Sequence, residues 1–207
     1  EIWLTHRHTD HLGGAAALAR EFDIPIRGPR EIPEMPARIR ILEDGEIFLF
    51  GASEVTVWRI PGHTRHHLIY ALDGVLFTGD ALFLGGVGRV FEGEARDLYR
   101  GLFDRVMPLP SNTLVYCGHE YAERNLRFAM ELEPGNQNIL KQYSHVVRLR
   151  AEGRPSVPGE LGIERLTNPF LRAGDPAIAA ALRRRHDQVP SDSEGVFTFL
   201  RALRDRH

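Results

Sequence analysis

Cysteine is almost absent from this chain, which has a single thiol, Cys117, among 207 residues. One cysteine can form neither an internal disulfide nor a thiolate cluster around a metal, so a reducing compartment is permitted. The chain also lacks an apolar run near the ~20 residues that a membrane-spanning helix needs. No secretory signal is recognisable either. We therefore expect a cytoplasmic protein that does not enter a membrane.

An excess of charge of either sign is also missing. The chain has 26 basic and 28 acidic residues, and its net charge of −2 gives no reason to expect a nucleic acid or an anionic membrane as partner. With 43% hydrophobic and 26% charged residues, the composition is that of an ordinary globular protein with one domain or two modest ones. We expect a monomer that acts on a small molecule.

Short apolar segments bounded by turn residues dominate the first part of the chain. They predict strands at residues 2–4, 25–28, 47–50, 54–60, 68–72, 75–78 and 113–117, and helices at 12–20 and 94–107. Asp73-Gly74 is typical of a two-residue hairpin turn. The proline-rich segment 29–38 is predicted to be a surface loop. This part of the chain therefore indicates an α/β fold.

After Cys117 the pattern changes to that of amphipathic helices. We predict helices over residues 121–132, 136–151, 175–186 and 193–205, with a stretch rich in proline and glycine at 153–169. The chain is therefore expected to divide into an α/β domain of residues 1–122 and an all-helical domain of residues 123–207. Because the first predicted strand follows Glu1 directly, we also expect further strands to precede it in the natural protein.

The strongest chemical signal is the run Thr5-His6-Arg7-His8-Thr9-Asp10-His11. It places three imidazoles and a carboxylate within six residues, and these are the ligands that borderline and hard divalent metal ions prefer. Four ligands this close together are too crowded to surround one ion easily. The run therefore predicts a pair of divalent metal ions and a metal-dependent hydrolase.

Three further segments place one candidate ligand directly after a predicted strand. They are Pro61-Gly62-His63-Thr64, Thr78-Gly79-Asp80 and Cys117-Gly118-His119-Glu120. A glycine precedes the ligand each time, where we expect the backbone to turn sharply. Because functional residues of α/β folds gather at the carboxyl ends of strands, the four segments are expected to meet at one site.

The order THxHxDH, PGHT, TGD and GHE resembles the metallo-β-lactamase superfamily. Within it, residues 77–93, 115–136 and 199–205 resemble the glyoxalase II (hydroxyacylglutathione hydrolase) branch. The resemblance implies an αββα sandwich followed by a helical glutathione-binding domain, although family members carry strands and a helix before the first motif that this chain lacks. It also implies a thioester hydrolase that converts S-D-lactoylglutathione to D-lactate and glutathione, the second step of methylglyoxal detoxification.

The same resemblance implies a set of metal ligands. They are His6, His8 and His63 for one ion and Asp10, His11 and His119 for the other, with Asp80 and a hydroxide bridging both. Asp10 and Asp80 would thus be the catalytic carboxylates. Zinc suits these ligands best, and iron or manganese would also be accepted. His66 and His67, beside the PGHT segment, are interpreted as solvated or hydrogen-bonding side chains.

The resemblance also implies contacts with glutathione, whose carboxylates suit bidentate arginine side chains. The corresponding residues are Arg89, Phe91, Tyr121, Arg201 and Arg204, together with His119. Phe91 stands where some members have tyrosine, which removes a hydrogen-bonding hydroxyl. The alternative explanation for Arg201 and Arg204 is an exposed helix face.

Three other functions remain as alternatives. A mononuclear iron persulfide dioxygenase would use His6, His63 and His119 differently and would lack the helical tail. Lactonases and β-lactamases share the metal site, but they do not match this tail. If Glu1 were the true start, the sheet would expose an apolar edge, and the chain could be a metal-binding remnant without turnover.

Overall fold

The computed structural model describes residues 1–32 and 39–206, so positions 33–38 of the predicted surface loop lie outside the described residues. The strands are β1 (Ile2–Trp3), β2 (Ile26–Gly28), β3 (Ile39–Ile41), β4 (Ile47–Phe50), β5 (Ser53–Arg59), β6 (Leu68–Leu72), β7 (Val75–Gly79), β8 (Leu82–Phe83), β9 (Gly86–Val87), β10 (Leu114–Cys117) and β11 (Gly159–Glu160). A parallel three-stranded sheet has the order β1-β2-β3 and a mixed six-stranded sheet has the order β11-β10-β7-β6-β5-β4; β8 and β9 form a small hairpin.

Helices flank the sheets and make up most of the second half. They are α1 (Thr9–Leu12), α2 (Ala15–Glu21), α3 (Ala95–Gly101) with a π-helical continuation (Leu102–Val106), α4 (Ala122–Leu132), α5 (Gln137–Ala151), α6 (Leu161–Thr167), α7 (Pro176–Arg183) and α8 (Ser193–Asp205). Within the described ranges, no helix combines the length and apolar character needed to cross a membrane.

The predicted strands and the four predicted helices of the second half are present, with ends that differ by a few residues. The Asp73-Gly74 hairpin is confirmed, because both residues have positive φ values, 45° and 76°, and Leu72 pairs with Val75 across the turn. The stretch 153–169 was predicted without a helix, but it contains α6. Its Pro155, Pro158 and Pro169 lie outside α6, so a pattern dominated by prolines concealed one short helix.

Three apolar clusters establish the layers. One cluster joins the three-stranded sheet to α1 and α2 through Leu4, Leu12 and Ala15. A second lies between the two sheets, where the buried Tyr70 hydroxyl donates to the Leu4 carbonyl oxygen at 2.6 Å. The third and largest cluster packs the far face of the six-stranded sheet against helices. The order of layers is therefore helix, sheet, sheet, helix.

The largest cluster also extends into the second half of the chain. It includes Ile69 and Leu76 of the sheet as well as Phe170 and Phe197 of the helical part. Strand β11 belongs to the second half and pairs antiparallel with β10, so this half contributes to the sheet as well. The two parts share one core, and the division near residue 122 stays a prediction.

Strand direction explains why functional segments can meet. β5 and β7 are both antiparallel to β6, and β10 is parallel to β7, so β5, β7 and β10 run in the same direction. Their carboxyl ends therefore lie at one edge of the six-stranded sheet. The segments that follow these ends carry His63, Asp80 and His119.

Strand β4, at one edge of the larger sheet, exposes three large apolar side chains. Ile47, Leu49 and Phe50 are 57%, 65% and 50% exposed. A cavity of about 620 Å³ lies between the sheets near Phe50, and Trp3 and Tyr116 are among the aromatic residues that line it. The expectation of additional strands before Glu1 stays a prediction.

A buried carboxyl group connects the helical half to the hairpin of β8 and β9. Glu164 of α6 is 1% exposed, and it accepts hydrogen bonds from the Gly85 amide at 2.7 Å and from Asn168 Nδ2 at 3.0 Å. Burial raises the pKa of Glu164 to about 7, although these two hydrogen bonds act in the opposite direction. Burial, together with the charge of Glu164, raises the pKa of the Cys117 thiol to about 11.

This network predicts how stability depends on pH. Because the folded-state pKa of Glu164 is raised, its contribution is most favourable below about pH 4.5 and is lost as the pH rises through 7. Glu164→Gln should remove this loss. Between pH 5 and pH 8, the free energy of unfolding of the variant should therefore rise by about 2 kcal/mol relative to that of the wild type. Urea unfolding at the two pH values measures the difference.

Glu21→Gln is the matched control, because Glu21 is an exposed residue of α2. It should leave the pH dependence of unfolding unchanged. An equal pH dependence in the wild type and in Glu164→Gln would contradict the raised pKa.

Candidate metal centre

The structure brings all seven predicted metal ligands to the edge of the sheets. Their ligand atoms form three groups, each with its members within 4.8 Å of one another. The groups are His6, His8 and His63; His6, His11 and Asp80; and Asp10, His11 and His119. The first and third groups have the same members as the two predicted ligand sets. The roles of these residues as ligands stay predictions.

The first group is the more buried. His6 is fully buried and His63 is 5% exposed. His63 Nε2 lies 3.0 Å from His8 Nδ1, while His63 Nδ1 lies 2.9 Å from the carbonyl oxygen of Arg89. Donation from Nδ1–H to this carbonyl fixes the tautomer, so the lone pair of His63 Nε2 points into the group.

The second group is open to solvent on one side. His11 Nε2 lies 3.2 Å from His119 Nε2, and His119 Nε2 lies 3.3 Å from an oxygen of Asp10. The side chain of Asp10 is 58% exposed and that of His119 is 26% exposed. The second group is therefore accessible from the side of Asp10 and His119.

Asp80 lies between the two groups. Its Oδ2 is 3.5 Å from His63 Nε2 and 3.3 Å from His119 Nε2, and its Oδ1 is 3.3 Å from His11 Nε2. One carboxylate thus reaches histidines of both groups, which is the position predicted for a bridging ligand.

The protonation states of His6, His63 and Asp80 suit metal binding, whereas the hydrogen bond with Asp80 raises the pKa of His11. Burial, together with the neighbouring histidines, lowers the pKa of His6 to about 2, and burial also lowers the pKa of His63. Burial acts to raise the pKa of Asp80, but His11 and the other nearby histidines outweigh it and hold this pKa below its usual value. At neutral pH, His6 and His63 are therefore neutral and Asp80 is ionised, as metal coordination requires.

The donor set fits divalent metal ions. His6 Nε2 is buried and has no hydrogen-bond partner among residues 1–32 and 39–206, which is costly for a polar atom unless something else binds it. A cation among these imidazole and carboxylate donors would give His6 Nε2 the partner that it lacks.

A cationic cleft lies beside the second group. It has a volume of about 210 Å³, and its lining residues are Phe83, Val87, Arg89, Tyr121, Arg124, Asn125, Arg201, Arg204 and Asp205. The ring of Tyr121 stacks on that of His119 with 4.9 Å between the centroids. Four of the five predicted glutathione contacts line this cleft; the fifth, Phe91, lies elsewhere.

Phe91 packs against the first group instead. It is 58% exposed, and its ring centroid lies 5.7 Å from that of His8 and 5.3 Å from that of His63. The structure therefore places this side chain over the rings of His8 and His63. Its role as a substrate contact stays a prediction.

Arg201 is not on an exposed helix face. It is 6% exposed, and its guanidinium donates to the carbonyl oxygen of Val87 at 2.9 Å and to Asp205 Oδ1 at 3.1 Å. Burial lowers the pKa of Arg201 from its usual value. The alternative explanation for Arg201 was therefore wrong, because this residue holds the end of β9 against α8.

Two family models cover the chain from end to end. The one described as "Metallo-beta-lactamase superfamily" matches residues 1–119, and the one described as "Hydroxyacylglutathione hydrolase C-terminus" matches residues 120–207. The hydroxyacylglutathione hydrolase of Rhizobium etli is 42% identical over 99% of this chain and 79% of the relative. That of Pseudomonas paraeruginosa is 40% identical over 100% of this chain and 80% of the relative.

The chain belongs to the hydroxyacylglutathione hydrolase family. Solved structures agree on the fold. ETHE1 from Myxococcus xanthus has a TM-score of 0.59 at 26% identity, covering 97% of this chain and 76% of that chain. TTHA1623 in a di-iron-bound form has a TM-score of 0.55 at 28% identity, covering 82% and 76%. The predicted metallo-β-lactamase fold with a helical C-terminal part is confirmed.

His67 lies buried beside the candidate ligands, and nothing in the local sequence indicated this position. His67 is fully buried, its Nε2 accepts the Asp80 backbone amide at 3.1 Å, and its ring stacks on that of His6 at 4.9 Å. Burial lowers its pKa well below the usual value, so the ring stays neutral and can accept this bond. The expectation of hydrogen bonding was right for His67, whereas that of solvation was wrong.

Two of the glycines that precede the predicted ligands are needed for different reasons. Gly79 has a φ of +47°, and a Cβ there would lie 2.5 Å from Thr5 Oγ1. At Gly118 the cause is a close approach, because a Cβ would lie 2.3 Å from Asp80 Oδ1 and 2.7 Å from His11 Cε1. The expected sharp turn therefore holds at Gly79, while Gly118 makes room for the ligands.

The neighbours His66 and His67 allow a matched test. His67→Leu should weaken the binding of divalent metal ions by about 10- to 100-fold, because the Asp80 amide loses its acceptor and His6 loses its stacking partner. Competition against a chelator measures this affinity. His66→Leu, at a half-buried position, is the control and should change it little.

His67→Gln retains an acceptor oxygen and should recover part of the lost affinity. Thermal unfolding of the metal-free proteins shows whether the folded state persists in each variant. If His67→Leu folds and binds metal as tightly as His66→Leu does, the supporting role of His67 is wrong.

Proposed function

We propose that this protein hydrolyses a thioester between a hydroxyacyl group and glutathione, the reaction named for its curated relatives. The observation that carries the proposal is the position of a cationic cleft directly beside a cluster of metal ligands. His119 belongs to the cluster, Tyr121 belongs to the cleft, and their rings are stacked. A substrate with an anionic tail and an electrophilic carbonyl would fit both at once.

Two divalent ions, with zinc as the most suitable element, would be held by the two ligand groups, with Asp80 between them. When bound, such ions supply hydroxide at neutral pH by lowering the pKa of water from about 15.7 to ~7, and they polarise a carbonyl oxygen. Asp10 and Asp80 bring the two carboxylates of the set, and neutral histidines add no charge. Because the positive charge of two divalent ions exceeds the negative charge of these two carboxylates, the site would keep a positive potential that stabilises a developing oxyanion.

The cleft would bind the glutathione portion. Arg89 and Arg204 line it together with the ring of Tyr121, and guanidinium groups bind carboxylates with paired hydrogen bonds. Binding there would place the sulfur end of glutathione toward His119. The acyl group would then lie over the ligand cluster, next to Phe91. Binding energy from the remote thiol portion would thereby orient the reacting carbonyl.

No side-chain nucleophile is needed for this reaction. The only thiol of the chain, Cys117, has its pKa raised to about 11 by burial, so it is protonated at neutral pH. The departing thiol has an ordinary pKa of about 8.5, so it leaves as a thiolate without help from a general acid. The chain itself therefore has to position the carbonyl and bind the tail, while bound ions would supply the hydroxide.

The alternatives gain less support. A persulfide dioxygenase is expected to lack the helical tail, whereas α4 to α8 occupy the second half of this chain. The match of residues 120–207 to a hydroxyacylglutathione hydrolase C-terminus also favours the thioesterase over a lactonase or a β-lactamase. The expectations of a monomer, of a cytoplasmic location and of lactoyl as the acyl group stay predictions.

Asp80→Ala should reduce kcat/KM for S-lactoylglutathione by at least about 100-fold, because the variant loses the carboxylate shared by both ligand groups. Release of free thiol measures turnover. Asp104→Ala is the control, since Asp104 is an exposed residue of the π-helical segment. Near-normal turnover in the Asp80→Ala variant would refute the proposed mechanism.

Removal of metal provides an independent measurement. Treatment with a strong chelator should abolish thiol release, and addition of zinc should restore it in the wild type but not in Asp80→Ala. Elemental analysis of the wild type should return close to two ions per chain under the two-ion proposal. Full turnover in protein shown to be free of metal would contradict the need for these ligands.

A further inference from the structure

The cleft contains an arginine that the family resemblance did not point to. We propose that Arg124 is a further specificity-determining residue that binds a carboxylate of the thiol portion of the substrate and favours acidic thiols over neutral ones. This inference rests on the proposed function. Arg124 would affect the specificity for the thioester and not the cleavage step.

The first turn of α4 places Arg124 at the cleft. Helix α4 begins at Ala122, directly after Tyr121, whose ring stacks on His119. The next residue after Arg124 is Asn125, which is buried and donates from Nδ2 to the Leu84 carbonyl oxygen at 3.0 Å. This bond holds the start of α4 against the segment between β8 and β9. Arg124 therefore projects from a fixed backbone beside the path toward the metal ligands.

The other cleft arginines already contact protein groups. Arg201 donates to a backbone carbonyl and to Asp205, and Arg89 lies 3.4 Å from the same Asp205 oxygen. The guanidinium of Arg204 lies over the Phe128 ring, 5.2 Å from its centroid. Arg201 in particular has two of its nitrogen atoms committed to positioning β9 and α8.

Arg124 differs from these three residues. Across residues 1–32 and 39–206, no acceptor and no carboxylate forms a hydrogen bond or an ion pair with Arg124. Its side chain is exposed at the cleft. A guanidinium without a protein partner keeps its paired donors available, which is the state that suits capture of a carboxylate.

Charge in the cleft is unbalanced. Four arginines line it, whereas Asp205 is the only carboxylate among its described lining residues. Burial lowers the pKa of Arg204, and the positive charge of Arg124 lowers it further. An anionic ligand would relieve this repulsion. Glutathione carries two carboxylates, so it can occupy more than one of these arginines.

The residues that line one end of the cleft support an orientation in which the sulfur of the thiol lies near His119. Phe83 lines the cleft, with its ring centroid 6.1 Å from that of His119 and 5.2 Å from that of Tyr121. Sulfur placed at this end would leave the rest of the thiol to extend past Tyr121 toward α4. A carboxylate there would meet Arg124 rather than the buried Arg201. The chain would thus select thioesters by the charge of the departing thiol.

The test compares Arg124→Gln with Arg127→Gln. Arg127 lies one turn further along α4, where it pairs with Glu123 at 2.8 Å outside the cleft. Arg124→Gln should raise KM for S-lactoylglutathione about three- to tenfold with kcat within twofold of the wild type. Its preference for this substrate over the neutral thioester S-lactoyl-N-acetylcysteamine should fall by the same factor. Arg127→Gln should keep the wild-type preference.

A measurement of equilibrium binding tests the proposed role of Arg124 separately from the proposed hydrolysis. S-methylglutathione is a thioether that cannot be hydrolysed, and its dissociation constant by calorimetry should rise three- to tenfold in Arg124→Gln. Arg124→Lys should recover part of the affinity, because it restores the charge but not the paired donors. The affinity of the wild type should fall with added salt more steeply than that of Arg124→Gln.

Equal affinity of Arg124→Gln and Arg127→Gln for the thioether would overturn the role of Arg124. A loss of kcat with an unchanged preference between the two thioesters would also overturn it, since that outcome indicates a structural role. If the wild type hydrolyses neither thioester, the proposed function fails. The thioether affinities would then still support or refute carboxylate binding by Arg124.

Discussion

The position of the Asp80 carboxylate is the constraint on which the centre depends. It lies within 3.5 Å of histidines from both ligand groups, and its own backbone amide donates to the buried His67. Asp80 is therefore held in place through both its side chain and its backbone. Gly118 permits this position, because any larger residue would occupy the space of Asp80 Oδ1. The geometry of the site thus depends on one carboxylate fixed at the end of β7.

The helical half takes part in this arrangement. Glu164 and Asn168 hold the turn between β8 and β9, and Arg201 holds the carbonyl oxygen of Val87 at the end of β9. The next residue, Gly88, packs so tightly on the Asp80 backbone that a Cβ there would lie 1.9 Å from the carbonyl oxygen. Helices that are distant in sequence therefore support the segment that follows Asp80. This dependence explains why one apolar core spans both halves.

Two opposite electrostatic requirements are met in neighbouring places. The ligand cluster needs neutral histidines, and burial provides them by lowering the pKa of His6 and His63. The cleft needs lasting positive charge, and arginine provides it because its guanidinium remains protonated even when its pKa is lowered. The rings of His119 and Tyr121 join the two regions. A thioester of an acidic thiol can therefore contact both regions without either one losing its charge state.

The sequence by itself determined the ligand residues as candidates and the family, because the motif THxHxDH and the later single ligands stand at recognisable strand ends. It also determined the hairpin at Asp73-Gly74, since that turn chemistry is local. Only the tertiary structure decided the roles of His67, Glu164 and Arg201, because burial and partners distant in sequence decide them. Folding also places Arg124 of α4 in the cleft, a position that its local sequence did not indicate. Local patterns specify what a side chain can do, whereas its neighbours decide what it does.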